Sequence, residues 1–304
     1  LIWFNNKWYS HRFFSIPNDV THWFAVQNDF TSFNPSDFTN PDAEWIIDGT
    51  GTPLVYAATN NWSPAGKVTI AGNGAGGKLD PAGFEITVAG NTVIESGGTL
   101  NFSDANGIFN ADGDFQAADG ANITFAANGT LKLAGAAPRL GRINGAQFTN
   151  TTGTVKYYLS GGGSAQAIYN IPYFNLTIIG TNATDVKTAN SNLDVDGNLT
   201  ITNGTLDMTN GGVENNVIDL EGNFTMEAGT FTAGTSDAHT VGGSWLENGG
   251  TFTAGTGKFT FEAIGGDKTI TTLSSFNDLS IETSGNTVSA AAALNIGGAF
   301  TITN

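Results

Sequence analysis

The strongest constraint in this sequence is the repetition of one glycine-punctuated phrase. It reads LDVDGNLTITNGTLDM at 193–208, IDLEGNFTMEAGTFTA at 218–233 and HTVGGSWLENGGTFTA at 239–254. Repeats at intervals of about 20 to 50 residues are typical of solenoids, because one repeat cannot bury its apolar face alone and must stack on its neighbours. The phrase therefore predicts a stack of similar coils.

Within one phrase the apolar residues come in pairs that are two positions apart. This spacing is that of a β-strand with one buried face. The pairs are separated by Asp196-Gly197-Asn198 and by Asn203-Gly204, residue types that accept a positive φ and turn the chain sharply. We expect three short strands and two tight corners, which together make one coil of a parallel β-solenoid. The apolar positions are Leu193, Val195, Leu199, Ile201, Leu206 and Met208.

The corners keep step from copy to copy. Successive corner glycines are separated by 25 and then 21 residues at each of the two corners. They are Gly197, Gly222 and Gly243 at the first corner and Gly204, Gly229 and Gly250 at the second. Looser copies occur at 86–102 and 121–135, and a tight one returns at 294–304. The predicted fold is all-β, a parallel β-solenoid with an irregular aromatic cap or docking segment at the N-terminus. Tandem immunoglobulin-like sandwiches are the alternative, although their strands are longer and their turns sparser.

A longer repeat overlies the short one. Residues 153–178 resemble residues 255–281, with Lys156 matching Lys258 and Leu176 matching Leu279. This predicts a duplicated unit of about 100 residues, and the phrase at the end of the chain suggests further repeats beyond it. The predicted segments are an aromatic cap at 1–48, irregular coils at 49–152, a first repeat unit at 153–254 and the start of a second at 255–304.

The N-terminal segment is crowded with aromatic side chains, which provide large apolar surfaces on a short stretch. One interpretation is a cap that covers the open end of the stack. The other is a docking segment that inserts into a neighbouring subunit, since such surface is unfavourable in water without a partner. The candidate docking residues are Trp3, Phe4, Trp8, Tyr9, Phe13, Phe14, Trp23 and Phe24.

Composition limits the partners. The 304 residues are 39% hydrophobic, enough for a sizeable core, and contain 11 basic against 27 acidic residues. The net charge of −16 argues against nucleic acid and anionic membranes as partners, which both attract basic surfaces. Cysteine is absent, so disulfides and thiolate sites are excluded. There is no apolar run of about 18 residues, so no transmembrane segment is predicted. The chain begins at Leu1 without a signal-like stretch, which predicts a mature or cut chain.

Catalytic residues are sparse. The three histidines, His11, His22 and His239, do not suggest a nucleophile–base triad. Two carboxylate pairs resemble the acids of sugar-cleaving enzymes, since residues two apart on a strand are separated by about 6.5 Å, the lower limit for an inverting pair. The pairs, Asp112 with Asp114 and Asp194 with Asp196, also adjoin corner glycines, where Asp is a common turn residue. They are weak calcium candidates as well, but no EF-hand loop is present. No catalytic residue and no cofactor is predicted.

Asparagine offers two interpretations. Asn-x-Ser/Thr triplets, which glycosylation enzymes recognise, occur at Asn61, Asn101, Asn122, Asn128, Asn150, Asn175, Asn182, Asn198, Asn203 and Asn223. At Asn198 and Asn203 the alternative is an inward ladder of stacked amides that hydrogen-bond along the axis.

The phrases VDGNLTITNGTLDM, GGSWLENGGTFTAGTGKFTFEA and the recurring F-N-x-L-x-I resemble repeats of large cell-surface proteins of the Bacteroidetes and neighbouring phyla. The resemblance covers 150–304 well and 50–150 loosely, and it does not cover the aromatic N-terminus. It implies secretion to the cell surface and adhesive or structural duty, generally without an active site. Filamentous haemagglutinin-type adhesins share the architecture, but no functional residue transfers from them.

These observations predict a non-enzymatic extracellular structural protein that assembles with copies of itself into a filament or surface layer, with residues 1–48 at the junction. Two alternatives are a cell-surface adhesin or glycan-binding solenoid, and a polysaccharide lyase or hydrolase. The expected partner is a second copy of the chain, and in the adhesin interpretation a glycan or host surface.

Overall fold

The computed structural model describes residues 2–4, 7–9, 23–26, 41, 44–47, 55–58, 60–74, 76–140, 148–159, 165–182, 184–212, 215–283 and 285–303. The chain divides into two compact units, unit 1 (Leu1–Gly153) and unit 2 (Thr154–Asn304). Every regular element in the described ranges is a β-strand. Those ranges accordingly contain no helix that is long and apolar enough to cross a membrane. The predicted all-β class is confirmed.

Unit 1 is a parallel β-solenoid. Its strands are β1 (Ile2–Phe4), β2 (Lys7–Tyr9), β3 (Trp23–Val26), β4 (Glu44–Ile47), β5 (Val55–Ala57), β6 (Lys67–Ile70), β7 (Lys78–Asp80), β8 (Glu85–Val88), β9 (Thr92–Ile94), β10 (Thr99–Phe102), β11 (Ile108–Ala111), β12 (Phe115–Ala117), β13 (Asn122–Phe125), β14 (Thr130–Leu133), β15 (Arg139–Leu140) and β16 (Phe148–Asn150). Strands β1 and β2 pair antiparallel. The others form sheet A (β3-β4-β6-β9-β12-β15), sheet B (β5-β7-β10-β13-β16) and sheet C (β8-β11-β14).

Successive coils of unit 1 stack in register. The residues Thr92 and Phe115, Thr99 and Asn122, and Glu85 and Ile108 are aligned in pairs 23 residues apart, one pair in each sheet. Alternate residues of each strand point inward, where Ile94, Leu100 and Phe109 are fully buried. The less regular repeats in this half of the chain therefore form coils with the same arrangement of strands.

Unit 2 is also a parallel β-solenoid. Its strands are β17 (Thr154–Tyr157), β18 (Ala165–Ile168), β19 (Pro172–Tyr173), β20 (Asn175–Ile178), β21 (Val186–Ala189), β22 (Leu193–Val195), β23 (Leu199–Ile201), β24 (Thr205–Asp207), β25 (Ile218–Leu220), β26 (Phe224–Met226), β27 (Thr230–Thr232), β28 (His239–Val241), β29 (Trp245–Glu247), β30 (Thr251–Thr253), β31 (Lys258–Phe261), β32 (Lys268–Thr271), β33 (Ser275–Phe276), β34 (Asp278–Glu282), β35 (Val288–Ala290), β36 (Asn295–Ile296) and β37 (Phe300–Thr303).

Four sheets run along the described part of unit 2. They are sheet D (β17-β20-β23-β26-β29-β32-β35), sheet E (β18-β21-β24-β27-β30), sheet F (β19-β22-β25-β28-β31-β34-β37) and the short sheet G (β33-β36). The phrase at 193–208 contributes β22 to sheet F, β23 to sheet D and β24 to sheet E. One phrase therefore makes one coil of three strands, which confirms the predicted β-solenoid.

The register of unit 2 reproduces the glycine intervals. Leu199 aligns with Phe224, 25 residues later, and Phe224 aligns with Trp245, 21 residues later. The second corner needs glycine for its backbone angle, since φ is 85° at Gly204 and 84° at Gly229.

The first corner needs glycine for space. A Cβ added to Gly222 would overlap the carbonyl oxygen of Gly197, and a Cβ on Gly243 would overlap that of Gly222. The second corner needs glycine for space as well as for its angle, since a Cβ on Gly229 would overlap the carbonyl oxygen of Gly204.

The core of unit 2 is strongly aromatic where the tight phrases stack. Trp245 is 1% exposed and lies face to face with Phe224, with ring centroids 3.9 Å apart. Phe252, Phe259 and Phe276 contact the same indole edge-on at 4.9, 5.6 and 5.3 Å. Such pairs stabilise a core beyond the area they bury, each by about 0.5 to 1.5 kcal/mol.

The longer repeat does not map onto one sheet. Lys156 lies in β17 of sheet D, whereas its sequence match Lys258 lies in β31 of sheet F. Leu176 and Leu279 are likewise divided between sheets D and F. The matched segments therefore occupy different faces of the coil, and a 102-residue duplication does not equal a whole number of coils.

Candidate functional site

The last described coil of unit 2 leaves its apolar interior uncovered. Its strands β35, β36 and β37 are the end strands of sheets D, G and F. Phe300 and Ile302 align with Leu279 and Ile281 of the preceding coil. Leu279 and Ile281 are 1% and 9% exposed, but Phe300 and Ile302 are 53% and 62% exposed. The pattern that forms the core one coil earlier lies on the surface here. We call β35, β36 and β37 the terminal coil.

The backbone of the terminal coil also lacks the usual protection of a sheet edge. Exposed edges commonly carry Lys, Pro or a bulge, which discourage pairing with another chain. Residues 283–304 contain neither a charged residue nor a proline. In a parallel ladder the N–H and C=O groups of an end strand point toward the position of the next strand. This edge can therefore accept parallel strands from a further coil.

A buried carboxylate fixes an exposed leucine close to this end of the chain. Glu247 is 1% exposed, and its oxygens accept four hydrogen bonds at 2.6 to 3.0 Å, from the backbone of Leu273, the backbone and hydroxyl of Ser274 and the hydroxyl of Thr272. Leu273 at the tip of this turn is 66% exposed. Sequence reasoning missed the arrangement because the partners lie 25 to 27 positions apart.

The predicted docking residues fall in three places. Trp3, Phe4, Trp8 and Tyr9 lie in the β1–β2 hairpin. Trp23 and Phe24 begin β3, which pairs in parallel with β4. Phe13 and Phe14 lie outside the described residues. Sheet A therefore extends into the segment 1–48, and the docking role of these aromatics stays a prediction.

Three aromatics that follow β3 are interior residues. Trp45 in β4 is 1% exposed and meets Trp62, which is 3% exposed, edge-on at 5.6 Å. Tyr56 contacts Trp62 at the same centroid distance of 5.6 Å. These three rings pack inside the first coils of unit 1, so they are not available to a ligand.

The carboxylate pair of unit 1 lies at a corner. Asp112 and Asp114 flank Gly113 between β11 and β12, and both are exposed. The backbone N–H of Asp114 donates to Asn91 Oδ1 at 3.1 Å. This is the arrangement that the turn interpretation predicts.

The carboxylate pair of unit 2 belongs to an acidic stripe on sheet F. Asp194 and Asp219 are aligned on neighbouring strands, and Asp196 and Glu221 follow them two residues on. Partial burial, followed by the charges of Asp196, Asp219 and Glu221, raises the pKa of Asp194. Partial burial and the charges of Asp219, Glu282 and Glu221 likewise raise the pKa of Glu262. The groups that perturb Asp194 are all acids, not the Lys or Arg that a lyase would place there.

The described residues contain no cluster of three or more His, Asp or Glu that could hold a metal ion. None of the weak calcium candidates Asp112, Asp114, Asp194 and Asp196 belongs to such a cluster.

Comparisons with protein-family models, curated proteins and solved structures find no match. The resemblance to bacterial surface repeats therefore stays a prediction carried by the quoted phrases.

The asparagine ladder exists at Asn198, but it faces outward. Asn198 donates from its backbone and side-chain nitrogens to Asn175 Oδ1, and Asn223 does the same to Asn198 Oδ1. Asn198 and Asn223 are exposed, so the predicted inward direction is wrong. Asn203 is not a rung in the same way, since its Oδ1 accepts from the N–H of Gly204 in its own turn. In the ladder, Nδ2 of Asn198 and Asn223 is engaged, which disfavours glycosylation there.

The first coils of unit 2 also contain buried polar groups that the sequence pattern did not reveal. The hydroxyls of Tyr157 and Tyr173 lie 2.7 Å apart, and burial raises the pKa of both phenols. Lys187 is fully buried and donates to the carbonyl of Leu159 at 2.6 Å, while burial lowers its pKa. Gln166, which aligns with Lys187, accepts from the N–H of Leu159. These bonds hold the corner after β17.

Proposed function

We propose that this protein is a non-enzymatic extracellular structural protein that assembles with copies of itself through the ends of its coils. The observation that carries the proposal is the contact between successive coils of unit 2, in which parallel strands pair in register and apolar columns stack, as Phe300 and Ile302 do on Leu279 and Ile281. A coil of a second copy can make the same contact. The contact is of the kind that joins successive coils within the chain, so it needs no new type of interaction.

The energetics favour such a contact. Fully burying a side chain of the size of Phe or Ile stabilises by about 1.5 to 3 kcal/mol each. A covering coil would also pair the backbone groups of β35, β36 and β37, each bond adding about 1 kcal/mol net. The uncharged sequence of residues 283–304 presents no repulsive group to oppose it. A head-to-tail contact of this kind does not close on itself unless the rotation allows it, and therefore leads to filaments.

The adhesin or glycan-binding function is the second candidate. Sugar-binding faces commonly expose aromatic rings, and the outward Asn and Thr columns of sheet D could contribute hydrogen bonds. Among the side chains that the structure describes, the exposed large apolar residues are Val55, Phe84, Ile264, Leu273, Phe300 and Ile302, with no Trp or Tyr among them. In this part of the chain, sugar binding therefore has no exposed indole or phenol to rest on. A lyase or hydrolase is less favoured still, because acidic groups surround Asp194.

The test uses the 304-residue chain, imaged by negative-stain electron microscopy and sized by analytical ultracentrifugation. Phe300→Asp combined with Ile302→Asp should abolish filaments, because a charge cannot be buried at these positions without a partner. The control combines Ile264→Asp with Leu273→Asp, which adds the same charge at exposed apolar residues outside the end strands and should leave filaments intact.

A third chain that lacks residues 1–22 but keeps β3, β4 and the buried Trp45 tests the aromatic N-terminus as the opposite half of the junction. Loss of filaments on this truncation, with circular dichroism unchanged, would support that role. Monomeric rods from the unmodified chain at all concentrations would overturn self-assembly and place the adhesin function first.

A further inference from the structure

His239 occupies a core position that other coils fill with an apolar side chain. The inward column of sheet F runs Leu193, Ile218, His239, Phe259, Leu279 and Phe300. His239 is fully buried, and its ring stacks on Phe259 with centroids 4.5 Å apart and planes inclined by 18°. A titratable ring therefore lies within the aromatic core of unit 2.

The ring also replaces a bond of the backbone ladder. Along sheet F the N–H of Leu193 donates to the carbonyl of Val217 at 2.8 Å, and that of Leu279 donates to Ala299 at 2.9 Å. At the equivalent position the N–H of Ile218 instead donates to Nδ1 of His239 at 3.2 Å. One link between β25 and β28 thus depends on a lone pair that a proton can take.

The acceptor role fixes the protonation state of His239. Because Nδ1 accepts, the neutral ring carries its proton on Nε2, which is buried without a hydrogen-bond partner. Protonation would turn Nδ1 into a donor facing the donor of Ile218, and it would place a charge among aromatic rings.

The surrounding charges do little to stabilise the protonated ring of His239. Burial lowers the pKa of His239 to about 4, against a smaller opposing effect of Asp237, which is exposed. On the flanking strands, Asp219 of β25 and Lys258 of β31 alternate with the inward residues and point away from the ring. Glu247 of β29, on sheet D, has its oxygens occupied by residues 272–274.

We propose that the junction between β25 and β28 is an acid-sensitive joint, at which protonation of His239 breaks the link to Ile218 and opens the stack between these two coils. The joint is independent of the assembly proposed above, since it lies in the core and not at the terminal coil. A surface protein with such a joint loosens in an acidic environment and closes again at neutral pH.

The size of the effect follows from linkage. The pKa of His239 is depressed in the fold, so the closed joint is fully favoured above about 6.5 and weakens as the pH falls toward about 4. If opening exposes the ring fully, the closed state loses roughly 20-fold in its equilibrium constant between pH 7 and pH 5.

Hydrogen exchange tests this on the full chain, with rates corrected for the intrinsic pH dependence of exchange. Protection of the amides in β25 and β28 should fall by roughly 20-fold between pH 7 and pH 5. His239→Leu restores the residue type found at 193 and 279 and should remove this loss, and His239→Phe serves if the leucine variant does not fold. His11→Gln combined with His22→Gln is the matched control and should keep the loss. An equal loss of protection in the folded His239 variant, or titration of His239 near 6.5 by NMR, would overturn the proposal.

Discussion

Asn223 donates twice to the side-chain oxygen of Asn198 in the preceding coil, from its backbone nitrogen at 3.0 Å and from Nδ2 at 3.1 Å. Asn198 makes the same pair of bonds to Asn175, at 2.9 and 3.3 Å. The ladder continues when the N–H of Ser244 donates to Asn223 Oδ1 at 2.9 Å. These side chains thus satisfy the backbone of each following corner, which the sheets themselves do not reach.

The ladder predicts a measurable loss on removing one rung. Asn198→Ala should lower the free energy of unfolding of unit 2 by about 1 to 2 kcal/mol, because Asn223 loses the acceptor of two bonds and Asn175 loses one donor, the side-chain Nδ2, although water replaces part of this. Asn203→Ala, which removes an acceptor used within its own turn, should cost less. Urea unfolding followed by circular dichroism measures both, and equal losses would contradict the ladder as the cause.

Two glycine-to-alanine substitutions should distinguish the steric cost of an added methyl group from the conformational cost of a positive φ. Gly222→Ala forces a methyl group onto the carbonyl of Gly197, and should cost about 3 kcal/mol. Gly265→Ala meets no atom within 4 Å but must keep φ at 72°, and should cost about 1 kcal/mol. Thermal unfolding of the two variants decides the ranking. A larger effect at Gly265 would mean that coils can move apart to admit the methyl group.

Two substitutions of Trp245 should lower the free energy of unfolding by different amounts. Trp245→Ala should lower the free energy of unfolding by about 3 to 5 kcal/mol, since a large cavity opens among Phe224, Phe252 and Phe259. Trp245→Phe should cost less than half as much, because it keeps a ring and removes an indole N–H that has no partner. Equal costs in denaturant titrations would show that the six-membered ring alone does not maintain the stack.

The acidic stripe predicts stabilisation on removing a charge. Because the pKa of Asp194 is raised in the fold, its contribution to stability is favourable below the unfolded value of 3.8 and is lost as the pH rises through the folded value. Asp194→Asn should therefore raise the unfolding temperature at pH 7 and change little at pH 3. The gain is a few tenths of a kcal/mol, since solvent screens this exposed group.

Asp112→Asn, an exposed corner aspartate of unit 1, is the matched control for this measurement and should show no comparable gain. Differential scanning calorimetry at both pH values distinguishes the variants. A lower unfolding temperature for Asp194→Asn at pH 7 would indicate a favourable partner for this carboxylate.

What the sequence by itself determined is the coil. Strand periodicity and corner glycines are local properties, and they located β22, β23 and β24 within 193–208 as well as the intervals of 25 and 21 residues that recur as the register at Leu199, Phe224 and Trp245. The inward place of His239 followed from the same alternation, because it stands where other phrases have an apolar residue.

What the tertiary structure decided is everything that depends on contacts between coils. The outward direction of Asn198, the four bonds to Glu247 and the link from Ile218 to His239 join residues 21 to 27 positions apart. Lys156 and Lys258 lie on different sheets because the 102 residues between them do not make a whole number of coils. The exposure of Phe300 and Ile302 also depends on contact between coils, since a strand of this pattern is core or surface according to whether another coil covers it.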